Sequence, residues 1–282
     1  LKVLVTGSNG FIGLAVREEL ASRGHEYLSF DAPHDIRHAG ELEVAAGLEA
    51  GGIINLAGVL GTSELDGRQH HAAWVNILGA VNVYELGATL NIPVVQIGTG
   101  HRGQPNTYAI TKAAAEDLAL ARAQWGGERI AVVRAYHVYG PGQKPCAPHG
   151  PSPVRKIFPS FTCRALTGMA LEVYGDGSQR IDMVHVTDVA RVLVDALDGP
   201  YGEVTEAGTG RATSVLDVAL DIAVATGSDS HVLRITAGRP GEPLGADVVA
   251  SKPVVKSTWP YLMCETIDWY RNWLAGYQQQ VR

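Results

Sequence analysis

The sequence predicts an α/β protein: a doubly wound parallel sheet with a smaller mixed α/β lobe toward the C-terminus. Three observations carry the prediction. Short β-branched, apolar runs alternate with longer stretches of helical spacing from residue 2 to about residue 134. Those runs are apolar on both sides, as strands covered by helices on two faces must be. A glycine-rich turn joins the first run to the first helical stretch.

Residues 2–5 form a short strand that ends in that turn. Residues 11–23 place Phe11, Ala15 and Leu20 at helical spacing, and Gly24 stops the helix. Residues 26–30 read as a second strand and 52–57 (GIINLA) as a buried one. A helix over 75–90, a buried strand over 92–97, an Ala-rich helix over 107–125 and a strand over 130–134 complete the alternation. Beyond Gly140 the pattern weakens. Residues 141–159, rich in Pro, Gly and His, read as a long loop, and the order of elements after it is mixed. On this reading residues 1–155 form the sheet domain, segments around 183–205 return to it, and 156–282 are mainly the smaller lobe. Gln278, Gln279 and Gln280 read as a frayed tail.

Composition narrows the function. With 282 residues, 46% hydrophobic and 18% charged, the chain can bury a substantial core. The formal net charge is -6 and no basic stripe stands out, so nucleic acid is not expected as a partner. Cys146, Cys163 and Cys264 are odd in number and lack CxxC spacing, which predicts free thiols and a reducing, cytoplasmic location. No stretch is long and apolar enough to span a bilayer, so no membrane association is expected. The strand over residues 2–5 leaves no expectation of a signal peptide. The ten histidines form no HExxH and no Cys/His cluster, so no metal is expected. His70 and His71 read as a solvated helix approach, and the region around His149 as a flexible loop.

The turn after the first strand carries Gly7, Gly10 and Gly13, a GxxGxxG spacing that also contains Asn9, Phe11 and Ile12. Alone, three glycines are only a tight turn. Between a strand and a helix they let the backbone approach a pyrophosphate, with the helix N-terminus facing the anion. Asp31 follows the second strand, 18 residues after Gly13. A carboxylate there accepts hydrogen bonds from ribose hydroxyls and repels a 2′-phosphate, which favours NAD over NADP. Asp35 and Ile36 are further candidates, for the adenine pocket.

Tyr108 and Lys112 are spaced by four, so a helix puts them on one face. The lysine ammonium, with a nicotinamide charge nearby, would lower a phenol pKa of about 10 toward working pH. Such a tyrosine can take or return a hydroxyl proton while a hydride moves. Thr99 lies just past the strand ending at Ile97, where the ends of parallel strands face a ligand crevice, and its hydroxyl could hold the reacting oxygen or cap a turn. Asn76 is equally open to a structural and a functional reading.

Together these residues resemble the extended short-chain dehydrogenase/reductases, and within them the NAD-dependent sugar-nucleotide epimerase/dehydratase group. The resemblance runs nearly end to end: TGSNGFIG at 6–13, NLAG at 55–58, YAITK at 108–112, RAYHVYGPGQ at 134–143, GDGSQRIDMVHVTDVA at 175–190, EAGTG at 206–210 and RPGE at 239–242. It implies a Rossmann-like N-terminal domain that binds NAD and a smaller lobe that binds a nucleoside diphosphate sugar. It implies that Thr99, Tyr108 and Lys112 are the catalytic set. Leu56, Ala57, Gly58 and Lys112 would line NAD, and Arg239 would contact the diphosphate. It also implies a homodimer, in which the helix over 75–90 and the Ala-rich face after Lys112 pack against their copies.

Four departures from the family pattern stand out. His137 replaces the usual Asn before VYGP, where a substrate contact or a buried histidine are both open readings. Ile181 stands where an Arg is expected, with Arg180 one place early, and in a strand one place changes the face. Gly100 and His101 occupy the positions of the dehydratases' Asp-Glu pair, which argues against elimination of water. Thr99 and Tyr108 are only nine residues apart, a shorter loop than usual. The implied reaction is therefore epimerisation, at C4, through a transient 4-keto sugar. A net NAD-dependent dehydrogenase or reductase of a sugar nucleotide uses the same three residues. A non-catalytic NAD-binding regulator is the remaining reading.

Overall fold

Alternate residues of a strand face opposite ways, and here each way holds a core. The computed structural model describes residues 1–47, 49–235, 237 and 247–280. Its first half runs β1 (Lys2–Thr6), α1 (Phe11–Ser22), β2 (Glu26–Phe30), α2 (Ala39–Ala46), β3 (Gly52–Asn55), α3 (Gln69–Ala73), a π-helical turn (Trp74–Leu78), α4 (Gly79–Leu90), β4 (Val94–Thr99), α5 (Thr107–Gly126) and β5 (Ile130–Ala135). The second half runs β6 (His137–Tyr139), α6 (Ile157–Leu166), β7 (Leu171–Tyr174), β8 (Arg180–Ile181), β9 (Met183–His185), α7 (Val186–Asp195), β10 (Val204–Ala207), β11 (Thr213–Ser214), α8 (Val215–Thr226), β12 (Val232–Ile235) and α9 (Met263–Gln280).

Six strands form one parallel sheet in the order β10-β5-β4-β3-β1-β2. The chain steps outward from β1 to β2, then returns to β3 on the other side of β1. That reversal opens a crevice beyond the carboxyl ends of β1 and β3. Val3 and Val5 join Ile54, Val95 and Val133 under α1 and α7, which pack on each other. Leu4, Ile53, Val94 and Val132 face the other way, under α2, α4 and α5. The sheet is a Rossmann-like α/β core. Among the described residues, the segment between β2 and β3 holds α2 and no outer strand.

A row of buried polar side chains crosses this sheet. Thr6, Asn55 and Gln96 stand opposite one another on β1, β3 and β4. Thr6 donates to Asn55 Oδ1 (2.6 Å), Asn55 Nδ2 to Gln96 Oε1 (2.7 Å), and the Tyr84 hydroxyl to the same oxygen (2.9 Å). Buried polar groups are tolerable only when so satisfied, and the row locks the strand ends that carry the site.

Three two-stranded pairs, β6 with β9, β7 with β12 and β8 with β11, complete the smaller part. Its core is aromatic: Tyr139 stacks on Phe158 (centroids 5.0 Å apart), with Tyr270 and Trp259 against them. The fully buried Asp182 carboxylate accepts from the Thr209, Gly210 and Ala250 amides (2.8–3.2 Å), tying the loop after β10 to the segment at 248–250.

Several elements differ in extent from the sequence reading. Pro93 cannot donate to a ladder, and β4 begins after it. It also runs two residues further, so Thr99 is its last residue. The helix read over 75–90 begins earlier, at Gln69, and passes through the π-helical turn. The loop read over 141–159 ends at α6, which accepts Pro159 because the missing N–H falls in the first turn, where it has no helical partner.

Candidate active site

A cavity of about 860 Å3 runs from the glycine turn to the start of α5. At its floor Gly7 has φ +67°, a left-handed conformation suited to glycine, and its N–H donates to Phe30 O (2.8 Å). A Cβ at Gly13 would lie 2.2 Å from the Gly7 carbonyl oxygen, so only glycine lets α1 start this close to β1. Asn9, Gly10, Phe11 and Ile12 line the same floor. Asp31, at the end of β2, accepts from the Asn9 and Ala32 amides (2.8 Å each), which fixes its carboxylate at the cavity wall.

Beyond β3, the Leu56 and Ala57 amides donate to Thr6 Oγ1 (3.1 Å each), holding this loop along the cavity. Gly58 follows, and a Cβ there would meet Asn76 Oδ1 at 3.1 Å. Asn76 is buried in the π-helical turn. It accepts from the Val59 amide (2.9 Å) and donates to Thr111 Oγ1 (2.9 Å), so it positions this loop against α5 rather than facing the cavity. Asp35 and Ile36 also line the cavity. The Asp35 carboxylate is already held by Arg37, whose Nε lies 2.9 Å from both oxygens. That pairing pulls its pKa down to about 2.

These residues fit a dinucleotide. The turn has no room for a Cβ at Gly13 and so closes tightly on the N-terminus of α1, which lines the cavity, and the anchored Asp31 carboxylate lines the same cavity.

At the far end of the cavity stand Thr99, Tyr108 and Lys112. Asn106 caps α5 by accepting from the Ala109 amide (2.9 Å), which fixes where the helix starts and so where Tyr108 points. The Thr99 hydroxyl stands beside the Tyr108 phenol, close enough to favour its ionised form. Burial pushes that phenol above its ordinary value, and the Thr99 hydroxyl draws it part of the way back. Among the protein's own groups burial therefore outweighs the lowering expected from Lys112. Burial also pulls the Lys112 ammonium down to about 8, against Glu116, one turn on, which holds it up. Glu116 is itself buried and takes Arg134 Nε on both oxygens (3.1 Å) and Arg102 (3.1 Å).

A second cavity, about 190 Å3, adjoins the first. His101, Tyr108, His137, Lys156 and Ile157 line both, and Arg155, Tyr174, Gln179 and Ile181 lie further in. His137 stands on the shared wall. Arg180 does not: its side chain is exposed, lines neither cavity and is bound to Asp247 (3.1 Å from Nε). Ile181 faces inward instead, as the one-residue offset in a strand requires. Arg239 lies outside the described residues.

Sequence reasoning missed His101 as a site residue, although it lies two residues from Thr99. It also missed Arg155 and Lys156, which fell in the stretch read as loop.

Fold and site together define the class: an enzyme of the short-chain dehydrogenase/reductase type, with a dinucleotide cradle leading to a Thr, Tyr and Lys set. The chain matches the NAD dependent epimerase/dehydratase family over residues 3–208. It belongs to that family, and NAD is its cofactor. UDP-N-acetyl-alpha-D-glucosaminuronate decarboxylase of Bacillus cytotoxicus is 24% identical, over 96% of this chain and 98% of that protein. Among solved structures, UDP-glucose 4-epimerase of Thermotoga maritima with UDP-glucose superposes with a TM-score of 0.86 at 22% identity, covering 96% of this chain and 99% of that one. The Thermus thermophilus UDP-glucose 4-epimerase complex with NAD gives 0.82 at 24% identity, over 96% and 99%. These likenesses show the fold.

Proposed function

We propose that this protein is an NAD-dependent epimerase of a nucleoside diphosphate sugar, inverting C4 through a transient 4-keto sugar. The observation that carries the reading is the wall shared by the two cavities. Among the described residues it bears Tyr108 but no carboxylate, and Glu172, which lines the smaller cavity, is paired with Arg155 and Arg164, so hydroxyl oxidation has its base while elimination of water lacks the usual free acid and base. The two UDP-glucose 4-epimerases of like fold support it.

In this scheme Gly7, Gly10, Gly13 and Asp31 hold the dinucleotide. NAD, when bound, supplies the hydride acceptor and donor and a positive ring that favours an ionised Tyr108. Tyr108, as phenolate, takes the 4-hydroxyl proton, and Thr99 holds the oxygen that becomes the ketone. Lys112 stabilises the phenolate from one helical turn away. The keto sugar turns in the smaller cavity, and Tyr108 returns its proton to the ketone oxygen as the opposite face is reduced. No net redox change results.

The test is an NMR assay of the purified protein with NAD and a panel of UDP-, GDP- and dTDP-hexoses, with absorbance followed for NADH. A C4 epimer without net NADH is expected. Net NADH, or a dehydrated 4-keto product, would replace the epimerase reading with a dehydrogenase or a dehydratase.

The same reading includes a homodimer. Trp74 and Leu78 on the π-helical turn, and Ile110 and Leu118 on α5, are exposed apolar side chains one or two turns apart, suited to a second copy. Sedimentation at the mass of one chain would refute it.

A further inference from the structure

We infer that His101 and His137 work as a pair that grips the sugar hydroxyls flanking the reacting carbon, and so determine which sugar is accepted. The inference rests on the epimerase reading above and names the sugar-binding groups of that site.

The pair is built into the reacting end of the site. The His101 backbone N–H donates to Thr99 Oγ1 (3.2 Å), and its Nδ1 lies 3.2 Å from the same oxygen, beside Tyr108 on the cavity wall. The ring is therefore anchored one hydrogen bond from the reacting hydroxyl, leaving Nε2 for a ligand. His137 opens β6, its backbone N–H held by the Asp182 carbonyl (3.0 Å). Its ring centroid is 4.7 Å from that of His101. Both rings line both cavities. His137 Nδ1 is buried and has no hydrogen-bond partner among the described residues. Buried polar atoms are rarely left so, and a site that binds a polar ligand is one place where they are.

The chemistry of the rings names what they take. Burial, reinforced by Lys156 on the same wall, keeps both imidazoles in the neutral form. A neutral imidazole offers one donor and one acceptor. A hydroxyl also gives one and takes at least one, so two hydroxyls on either side of the reacting carbon match the pair. With C4 at Tyr108, these are the hydroxyls on C3 and C6. A neutral pair is a poor general acid, so its part is recognition.

Calorimetry on the enzyme saturated with NADH tests this, with UDP-glucose, its 3-deoxy analogue and its 6-deoxy analogue as probes. A site built to hydrogen-bond a hydroxyl rejects the analogue lacking it. The wild type is expected to bind at least one deoxy analogue about tenfold more weakly than UDP-glucose. In His137→Phe and His101→Phe that discrimination should collapse to about twofold, and His137→Asn, which keeps a donor and an acceptor, should restore part of it. Equal binding of all three probes by the wild type, or full discrimination in both Phe variants, overturns the inference while the epimerase reading stands. Where the panel above shows turnover of a different sugar nucleotide, that compound and its 3-deoxy and 6-deoxy analogues take the place of the UDP-glucose set, and a wild type that binds no UDP-, GDP- or dTDP-hexose removes the epimerase reading and this inference with it.

Discussion

Lys112 has a role in the proposed chemistry and weakens the fold, and replacing it should expose both effects. It is buried, and among the described residues no side chain accepts a hydrogen bond from its ammonium. Burial lowers its pKa from 10.5 to about 8. At about 1.4 kcal/mol per unit, holding the charge in the native state at pH 7 costs about 3 kcal/mol. Lys112→Met keeps the length and removes the charge, so the variant should be more stable than the wild type by about 1 to 3 kcal/mol at pH 7, and inactive. The sign with pH is fixed. Between the native pKa near 8 and the unfolded value of 10.5, the unfolded state binds more protons, so wild-type stability rises with pH there. From pH 7 to 9.5 the wild type should gain about 2 kcal/mol on the variant. Urea unfolding of both proteins without added NAD, at pH 7 and pH 9.5, measures the gap and its closure. A variant no more stable at pH 7, or a gap that does not narrow at pH 9.5, would refute the reasoning.

Three further changes probe other parts of the site. Tyr108→Phe removes the proton carrier and should lower kcat by about 10²–10⁴-fold, while NADH fluorescence titration shows the cofactor still bound; near-normal turnover would take Tyr108 out of the chemistry. Gly13→Ala places a methyl 2.2 Å from a backbone oxygen that cannot turn aside, so NADH affinity should fall more than about tenfold and Tm with it. Glu116→Gln leaves Arg134 facing a neutral amide in a buried network and should cost about 3 kcal/mol in urea unfolding; it should also lower the Lys112 pKa further, since Glu116 is what holds it up.

Close packing shapes the cofactor end of the site, and a polar network shapes the catalytic end. At the glycine turn the backbone itself is the wall, so the contacts there are insensitive to side chains but intolerant of any added carbon. Around α5 the positions depend on caps and ion pairs: Asn106 sets the start of the helix, Asn76 ties it to the loop after β3, and Glu116 ties it to β5. Strain in either part would be felt at Tyr108 as a shift in its distance from Thr99.

The sequence by itself determined what depends on near neighbours along the chain. A strand, three spaced glycines and a helix define the turn, and a spacing of four puts Tyr108 and Lys112 on one face, because helical geometry alone fixes both. Apolar runs on both faces told of a parallel sheet for the same reason. Only the tertiary structure decided what comes from distant segments. His101 and His137 meet because β4 and β5 are neighbours in the sheet and end side by side. Asp31 is aimed by the Asn9 amide, from the loop after another strand. Ile181 faces the cavity and Arg180 faces Asp247 because β8 is pinned by Val248 and β11, a register that no local pattern encodes. Local rules end within about one helical turn or one strand pair. The walls of a cavity are drawn from several loops at once, so which side chains share it is settled by packing.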